Sequence, residues 1–214
     1  MESGKKIQTL GEEISNAVSH GVGALLAIAG TAVIIVLAAI NGGGAISVVA
    51  ASLYGASLII LYTFSTLYHS LTNEKAKYVF RVFDHCSIFI LILGSYIPIS
   101  LCLIGGTKGW VLFGINAFAA VLGIVFNSIN LIRWKKVSMV LYIIMGWSVV
   151  MSFGKIISDV TVKGIILLVV GGLCYTAGII FYRDNKHKYA HFIWHLFVLA
   201  GSILHYFFVL FYCI

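Results

Sequence analysis

The last stretch of the chain reads His187-Lys-Tyr-Ala-His191-Phe-Ile-Trp-His195-Leu-Phe-Val-Leu-Ala-Gly-Ser202-Ile-Leu-His205-Tyr-Phe-Phe-Val-Leu-Phe-Tyr-Cys-Ile214. Its apolar part is long enough to span a bilayer, which takes about 20 residues of helix. A histidine that faces hydrocarbon without a polar partner is costly, so histidines in such a run face the interior of a helix bundle and mark a site. His191 and His195 lie one turn apart on one helix face, roughly 6 Å from each other. This spacing suits two ligands of one metal ion.

The composition of the whole chain indicates the same class of protein. Hydrophobic residues make up 61% of the 214 residues, charged residues make up 10%, and there is one proline. These values are typical of an all-α membrane protein whose chain crosses the bilayer several times. Because no linker, low-complexity tract or strict repeat divides the sequence, residues 1–214 are predicted to form a single transmembrane domain. The four cysteines are dispersed through apolar stretches and are interpreted as buried apolar side chains.

Seven apolar runs are separated by short polar joints, and each run is close to the length of a spanning helix. The sequence therefore predicts seven transmembrane helices, preceded by a cytoplasmic N-terminal segment at residues 1–19. The predicted helices cover residues 20–40, 45–68, 84–104, 110–131, 138–154, 164–182 and 190–212.

The distribution of lysine and arginine over the joints predicts the orientation. One set of alternate joints carries eleven basic residues, namely Lys5, Lys6, Lys75, Lys77, Arg81, Arg133, Lys135, Lys136, Arg183, Lys186 and Lys188. The other set carries three, namely Lys108, Lys155 and Lys163. Since basic loops stay in the cytoplasm, the N-terminus is predicted to be cytoplasmic and the C-terminus to lie outside. This topology accounts for the net charge of +7. Membrane lipids are therefore the expected partners, and nucleic acid is not.

In this topology, four polar residues meet at the cytoplasmic side of the bilayer. His69 ends the second predicted helix, Asp84 begins the third, and His191 and His195 begin the seventh. Three imidazoles with one oxygen ligand or water suit a tetrahedral zinc ion. His69, His191, His195 and Asp84 are thus the predicted metal ligands, and Zn²⁺ is the predicted cofactor.

Some of these residues have alternative interpretations. Asp84 could cap its helix or pair with Arg81, which precedes it by three residues. Ser65 stands four residues before His69 on the same helix face, where its hydroxyl could orient the metal or a bound water. The same hydroxyl could instead bond to a carbonyl of its own helix.

The remaining histidines outside the first helix are weaker candidates. His85 points roughly 100° away from Asp84 on a helix. His187 lies about 12 Å from His195, so it is interpreted as a solvated loop histidine. His205 either lines a cavity or hydrogen-bonds to a neighbouring helix.

The first helix carries polar residues at one face where it enters the membrane. Glu13, Asn16 and His20 follow the spacing i, i+3, i+7. This face either surrounds the metal ligands or is an ordinary interfacial turn, and the residues alone favour neither. Pro98 is expected to distort the third helix, because proline removes a backbone donor.

The ordered set of short motifs resembles the hemolysin III family, the bacterial relatives of the progestin and adipoQ receptors. The motifs are Glu13-x-x-Asn16-x-x-x-His20, Ser65-x-x-x-His69, Asp84 at the third helix, Gly94-Ser-Tyr-Ile-Pro98 and His191-x-x-x-His195. The resemblance covers all seven predicted helices and implies a bacterial plasma membrane location. It also implies that His69, His191 and His195 bind zinc near the cytoplasmic leaflet, with Asp84 reached directly or through water.

Two functions follow as hypotheses. The first is a zinc-dependent hydrolase of lipid amides or esters, which the implied relation to alkaline ceramidases supports; Asp84 would orient a water or accept its proton, and Ser65 would help to position it. No P-loop, dinucleotide-binding fingerprint or serine-nucleophile motif offers a rival chemistry. The second is a non-enzymatic protein with structural zinc, either a sensor of lipid state or a pore-forming cytolysin, which the family name implies. A catalytic metal site keeps an open coordination position and a structural site does not. The sequence does not show which of the two kinds this site is.

Overall fold

The computed structural model describes residues 8–184 and 186–214, and these residues form helices without any β-strand. Residues 1–7, including Lys5 and Lys6 of the charge count, and residue 185 lie outside the described part. The elements are α1 (Leu10–Ile40), α2 (Gly44–Ser70), α3 (Glu74–Pro98), a π-helical segment (Ile99–Ile104), α4 (Gly106–Trp147), a 3₁₀ segment (Ser148–Ser152), α5 (Phe153–Asp159), α6 (Val162–Arg183) and α7 (Ala190–Tyr212). The predicted all-α class is confirmed.

Helix α1 begins ten residues earlier than the predicted start at residue 20. Thr9 is its N-cap, and its side chain and backbone exchange hydrogen bonds with Glu12 in a capping box. The predicted start was wrong because hydrophobicity detects only the apolar part of a helix, whereas the cap sets the point where the helix begins. Residues 10–19 of the predicted N-terminal segment are therefore helical.

Helix α3 also begins ten residues before its predicted start at Asp84. Asn73 caps it by accepting a hydrogen bond from the backbone N–H of Ala76 at 3.1 Å. Residues 71–73 alone separate it from α2. Asp84 therefore lies inside the helix rather than at its first turn, so the alternative that it caps the helix is wrong. Residues 74–83, which lie outside the predicted helix, form the polar first turns of α3.

The helical form changes immediately after Pro98, as expected for a proline at this place. Regular α-helix ends at Pro98, and Ile99–Ile104 form a π-helical segment that ends at Gly105, whose φ is +63°. A proline cannot donate a backbone hydrogen bond, which favours such a local rearrangement.

Helix α4 is interrupted at Asn130, whose backbone is extended (φ −161°, ψ 94°). The Asn130 side chain accepts a hydrogen bond from the N–H of Arg133 at 2.9 Å, which is the geometry of a new helix start. The Asn116 amide donates to the hydroxyl of Ser148 at 2.9 Å. In a straight helix these residues would be about 48 Å apart, so the two parts of α4 fold back on each other.

Six helices within residues 8–184 and 186–214 are long and apolar enough to cross a membrane. They are Leu10–Ile40, Gly44–Ser70, Glu74–Ile104, Gly106–Asp159, Val162–Arg183 and Ala190–Tyr212. Many of their large apolar side chains are exposed, such as Leu25 and Ile180 at 70% each. An exposed apolar surface of this extent indicates contact with lipid.

The first and last helices of the described chain pack against each other. Helix α1 contacts α2 and α7, while α7 also contacts α6. Ile34 of α1, Tyr54 of α2 and Phe208 of α7 lie fully buried in one core. This packing places the first turns of α7 beside the last turn of α2 and the first turns of α1.

Candidate metal centre

Three histidines from two helices come together at one end of the bundle. His69 lies in the last turn of α2, and His191 and His195 lie in the first turns of α7. One ring nitrogen of each lies within 4.8 Å of the corresponding atoms of the other two. Their ring centroids are 4.8 to 5.2 Å apart, and His69 and His195 are buried. We call these residues the histidine triad.

A carboxylate on α1 orients His69. The Nδ1 atom of His69 lies 2.7 Å from Oε2 of Glu13, and the other carboxylate oxygen of Glu13 pairs with Nζ of Lys77 at 2.9 Å. The Nε2 atom of His69 is buried and has no hydrogen-bond partner. If Nδ1 carries the proton and donates it to Glu13, the lone pair of Nε2 is left for a metal ion.

Helix α1 holds His195 in the same way. The Nδ1 atom of His195 lies 3.2 Å from the backbone carbonyl oxygen of Asn16 and 3.3 Å from the hydroxyl of Ser19. A carbonyl can only accept, so Nδ1 donates to Asn16 and Nε2 carries the lone pair. Metal-binding histidines usually have this arrangement of outer hydrogen bonds.

The interior around the triad contains an unusual number of polar atoms without partners. Among the described residues, ten buried side-chain nitrogen or oxygen atoms lack a hydrogen bond, and six of them belong to residues in or beside the triad. The six are Asn16 Oδ1, both ring nitrogens of His20, the Tyr62 hydroxyl, the Ser65 hydroxyl and His69 Nε2. Because buried polar groups are normally paired, this cluster indicates a polar occupant. A set of three imidazoles, two of them with outer hydrogen bonds, fits a Zn²⁺ ion.

Asp84 and Ser65 lie beside the triad but outside it. Asp84 is not a member of the group whose ligand atoms lie within 4.8 Å of one another. Its carboxylate interacts with the charge of His69 and lies near the hydroxyl of Ser65. Its Oδ2 lies 3.6 Å from Nδ1 of His85. The Ser65 hydroxyl makes no hydrogen bond to its own helix, in contrast to the alternative considered for it.

His85 and His205, the weaker candidates of the sequence analysis, make their contacts outside the triad. His85 Nδ1 contacts the carbonyl of Arg81 at 2.8 Å, and its Nε2 lies 3.3 Å from the Tyr182 hydroxyl. His205 donates from Nε2 to the carbonyl of Leu168 at 3.1 Å and also lines a cavity, so both interpretations of this residue hold. Neither His85 nor His205 belongs to the triad.

His187 lies in the exposed loop before α7, as predicted. Its Nδ1 contacts Asp184 at 2.5 Å. The backbone N–H of Lys186, followed by the His187 side chain, stabilises the Asp184 carboxylate and lowers its pKa to about 2. This pair shapes the loop and does not reach the triad.

Glu12, which joins α1 to the start of α7, was not predicted as a site residue. Its Oε1 accepts a hydrogen bond from the backbone N–H of Tyr189 at 2.9 Å. Tyr189 has φ +61°, an uncommon value for a residue other than glycine. Ser19, which contacts His195, and Lys77, which pairs with Glu13, were not predicted as site residues either. Their contacts join residues far apart in sequence, and the only early signal was the polar face of α1.

An apolar cavity lies inside the bundle next to the triad, although none of the three triad histidines lines it. Tyr182 and Trp194 line it near His191, with the rings of Tyr182 and His191 6.1 Å apart. The cavity continues along α7 past Val198 to His205, about 16 Å further at the helical rise. It can therefore receive a long apolar group whose end lies near the histidines.

Apolar helices long enough to span a membrane, together with the histidine triad, define a multi-pass membrane protein with a candidate metal centre. Residues 8–206 match the family model described as Haemolysin-III related. The chain belongs to the hemolysin III family, which confirms the predicted resemblance, and it is a multi-pass protein of the bacterial cell membrane.

Similar proteins include two from bacilli. The chain is 42% identical over 205 residues to Hemolysin-3 of Bacillus cereus, covering 96% of this chain and 93% of the relative. It is 40% identical over 206 residues to the Hemolysin-3 homolog of Bacillus subtilis, covering 96% of both. A weaker similarity, 29% over 166 residues, extends to the human monocyte to macrophage differentiation factor, with 74% of this chain and 68% of the relative covered.

Proposed function

We propose that this protein is a zinc-dependent hydrolase that acts on an amide or ester bond of a membrane lipid. The observation that carries the proposal is the histidine triad, in which α1 holds His69 and His195 through their Nδ1 atoms. An apolar cavity lies next to it, lined by Tyr182 and Trp194. Zn²⁺ bound by three neutral imidazoles lowers the pKa of a coordinated water to about 7 and polarises a carbonyl group.

Asp84 is the general base in this proposal. Its carboxylate lies close to the triad without belonging to it, so it can accept a proton from a water near the three histidines. Ser65 has a buried hydroxyl close to the Asp84 carboxylate, and we assign it the role of positioning that water. With this role, Asp84 would act on the metal through water, which is the second of the two arrangements that the resemblance implies.

The cavity supports a lipid as the substrate. A scissile bond beside His191 would leave an acyl chain to run along the apolar walls between Trp194 and His205. Burial of that chain would provide binding energy in proportion to its apolar area. The polar head of the lipid would stay at the end of the bundle where the histidines lie.

We further propose that the chain crosses the membrane seven times, with the N-terminus in the cytoplasm and the C-terminus outside. Gly106–Asp159 would measure about 81 Å as one straight helix, more than twice a bilayer core of about 30 Å, and its interruption at Asn130 permits two crossings. The basic residues around Arg133 would then lie on the same side as those that precede α7. A reporter fused after Ile214 should be active only if it works outside the cytoplasm, and cytoplasmic activity would contradict this topology.

A second candidate is a cytolytic or lipid-sensing membrane protein with structural zinc. The name of the Bacillus cereus relative, at 42% identity, favours it. In that case the triad would hold helices α2 and α7 together, and Asp84 would have little role.

The hydrolase is tested with purified protein in detergent and labelled lipids that carry either an amide-linked or an ester-linked acyl chain. We expect release of free fatty acid from at least one class, loss of release after removal of metal by a chelator, and recovery when Zn²⁺ is restored. A heat-inactivated sample and a membrane protein without the triad serve as controls. If neither lipid class is cleaved by zinc-loaded protein, the second candidate replaces the hydrolase.

A further inference from the structure

His20 is a buried histidine next to the triad to which the proposed reaction gives no role. It is 3% exposed, and neither of its ring nitrogens has a hydrogen-bond partner. An imidazole always offers one or two donors, so burying it without any partner is unfavourable. The environment of His20 is therefore incomplete without a polar ligand.

The position of His20 relative to His195 limits what that ligand can be. The two rings are stacked nearly parallel, 10° apart, with centroids at 3.6 Å. A ring nitrogen directs its lone pair within the plane of its ring, so an ion bound by His195 lies outside the plane of His20. With zinc–nitrogen bonds of about 2.0 Å, His20 cannot bind that ion in this orientation.

The neighbours of His20 point to an oxygen ligand. Tyr62 meets the His20 ring edge to face at 5.0 Å, and the Tyr62 hydroxyl also lacks a partner. Asn16 Oδ1, one turn before His20 on α1, is buried and unpaired as well. The Nε2 atom of His69, a residue of the triad, is another unpaired buried atom of this region.

We propose that His20 is a fourth histidine of this centre, which does not bind the metal but hydrogen-bonds the oxygen ligand in the coordination position that the triad leaves open. The ligand class is a water, a carbonyl oxygen or a carboxylate. In the hydrolase, His20 would hold the carbonyl oxygen of the scissile bond or the carboxylate of the product. The inference rests on the metal-binding part of the proposed function and does not require turnover.

The test uses the full chain in detergent, loaded with Co²⁺ in place of Zn²⁺, and acetohydroxamate as a probe of the open position. Binding of Co²⁺ and of the probe is followed by visible absorption. His20→Phe keeps a ring that can stack on His195 but has no nitrogen, and His20→Gln keeps polar atoms. His187→Phe is the matched control, because it makes the same change in an exposed loop.

We expect His20→Phe to bind Co²⁺ with affinity close to that of the wild type but to bind acetohydroxamate roughly 10- to 100-fold more weakly, as for the loss of a hydrogen bond to a charged group. His20→Gln should recover part of the loss, and His187→Phe should match the wild type. Unchanged hydroxamate affinity in a folded His20→Phe variant would overturn the proposal, and so would loss of Co²⁺ from that variant.

If His20→Phe does not fold, the His20→Gln variant decides. Its cobalt spectrum with bound hydroxamate should differ from that of the wild type, because the hydrogen bond to the ligand has changed. An identical spectrum and affinity would overturn the role of His20. If the wild type binds no Co²⁺, the metal centre itself is refuted and the inference falls with it.

Discussion

Replacing both His191 and His195 by alanine is expected to reduce the zinc bound to purified protein from about one ion per chain to none. The two residues supply two of the three imidazoles of the triad. The single remaining ligand, His69, cannot hold the ion against solvent or detergent buffer. Metal analysis of detergent-purified protein, with the chain concentration measured independently, gives the stoichiometry.

Two further variants make this result specific. Replacing His187 and His205 by alanine also removes two histidines, but neither belongs to the triad, so this variant should keep its zinc. Glu13→Gln leaves all three ligands in place and weakens the hydrogen bond that orients His69, so we expect a metal affinity roughly 10- to 100-fold lower rather than no binding. Stoichiometric zinc in the His191 and His195 double variant would refute the triad as the metal site.

The sequence predicted the all-α membrane class because the bilayer requires every spanning helix to be apolar and to have a minimum length. Both requirements are visible in the composition and in the length of the apolar runs. It failed at helix boundaries. Thr9 and Asn73 start α1 and α3 outside the apolar runs through capping hydrogen bonds, which hydropathy does not register. The interruption of α4 at Asn130 falls just inside the end of the predicted run 110–131, close to Arg133 and the lysines that break the apolar pattern.

The histidine cluster could be anticipated for a different reason. Successive spanning helices alternate in direction, so the end of one helix and the start of the next lie on the same side of the membrane. A polar residue within the bilayer is unfavourable unless it has a polar partner at the same depth. Depth does not specify which faces turn toward each other. For that reason the contacts of Glu13 with His69, of the Asn16 carbonyl with His195, and of His20 with the His195 ring appear only in the folded structure.

The largest effect on activity is expected from Asp84→Asn. The hydrolase requires a base beside the triad, and an asparagine can keep hydrogen bonds but cannot accept a proton at neutral pH. We expect this variant to retain zinc, because Asp84 lies outside the triad, and to lose turnover of a cleaved lipid by roughly 10² or more. Fatty-acid release by the purified protein is the measurement, and metal analysis of the same sample shows that the centre is intact.

Asp159→Asn is the matched control, since it makes the same substitution at the carboxylate that pairs with Lys155, far along the chain from the triad. It should leave lipid turnover unchanged. Lysis of target membranes that depends only on the assembled helices should survive both substitutions, so the Asp84 variant separates the two candidate functions. Unaltered hydrolysis by Asp84→Asn would remove this residue from the mechanism. A loss of zinc from the same variant would instead mean that Asp84 binds the ion directly, as one of the two arrangements implied by the family allows.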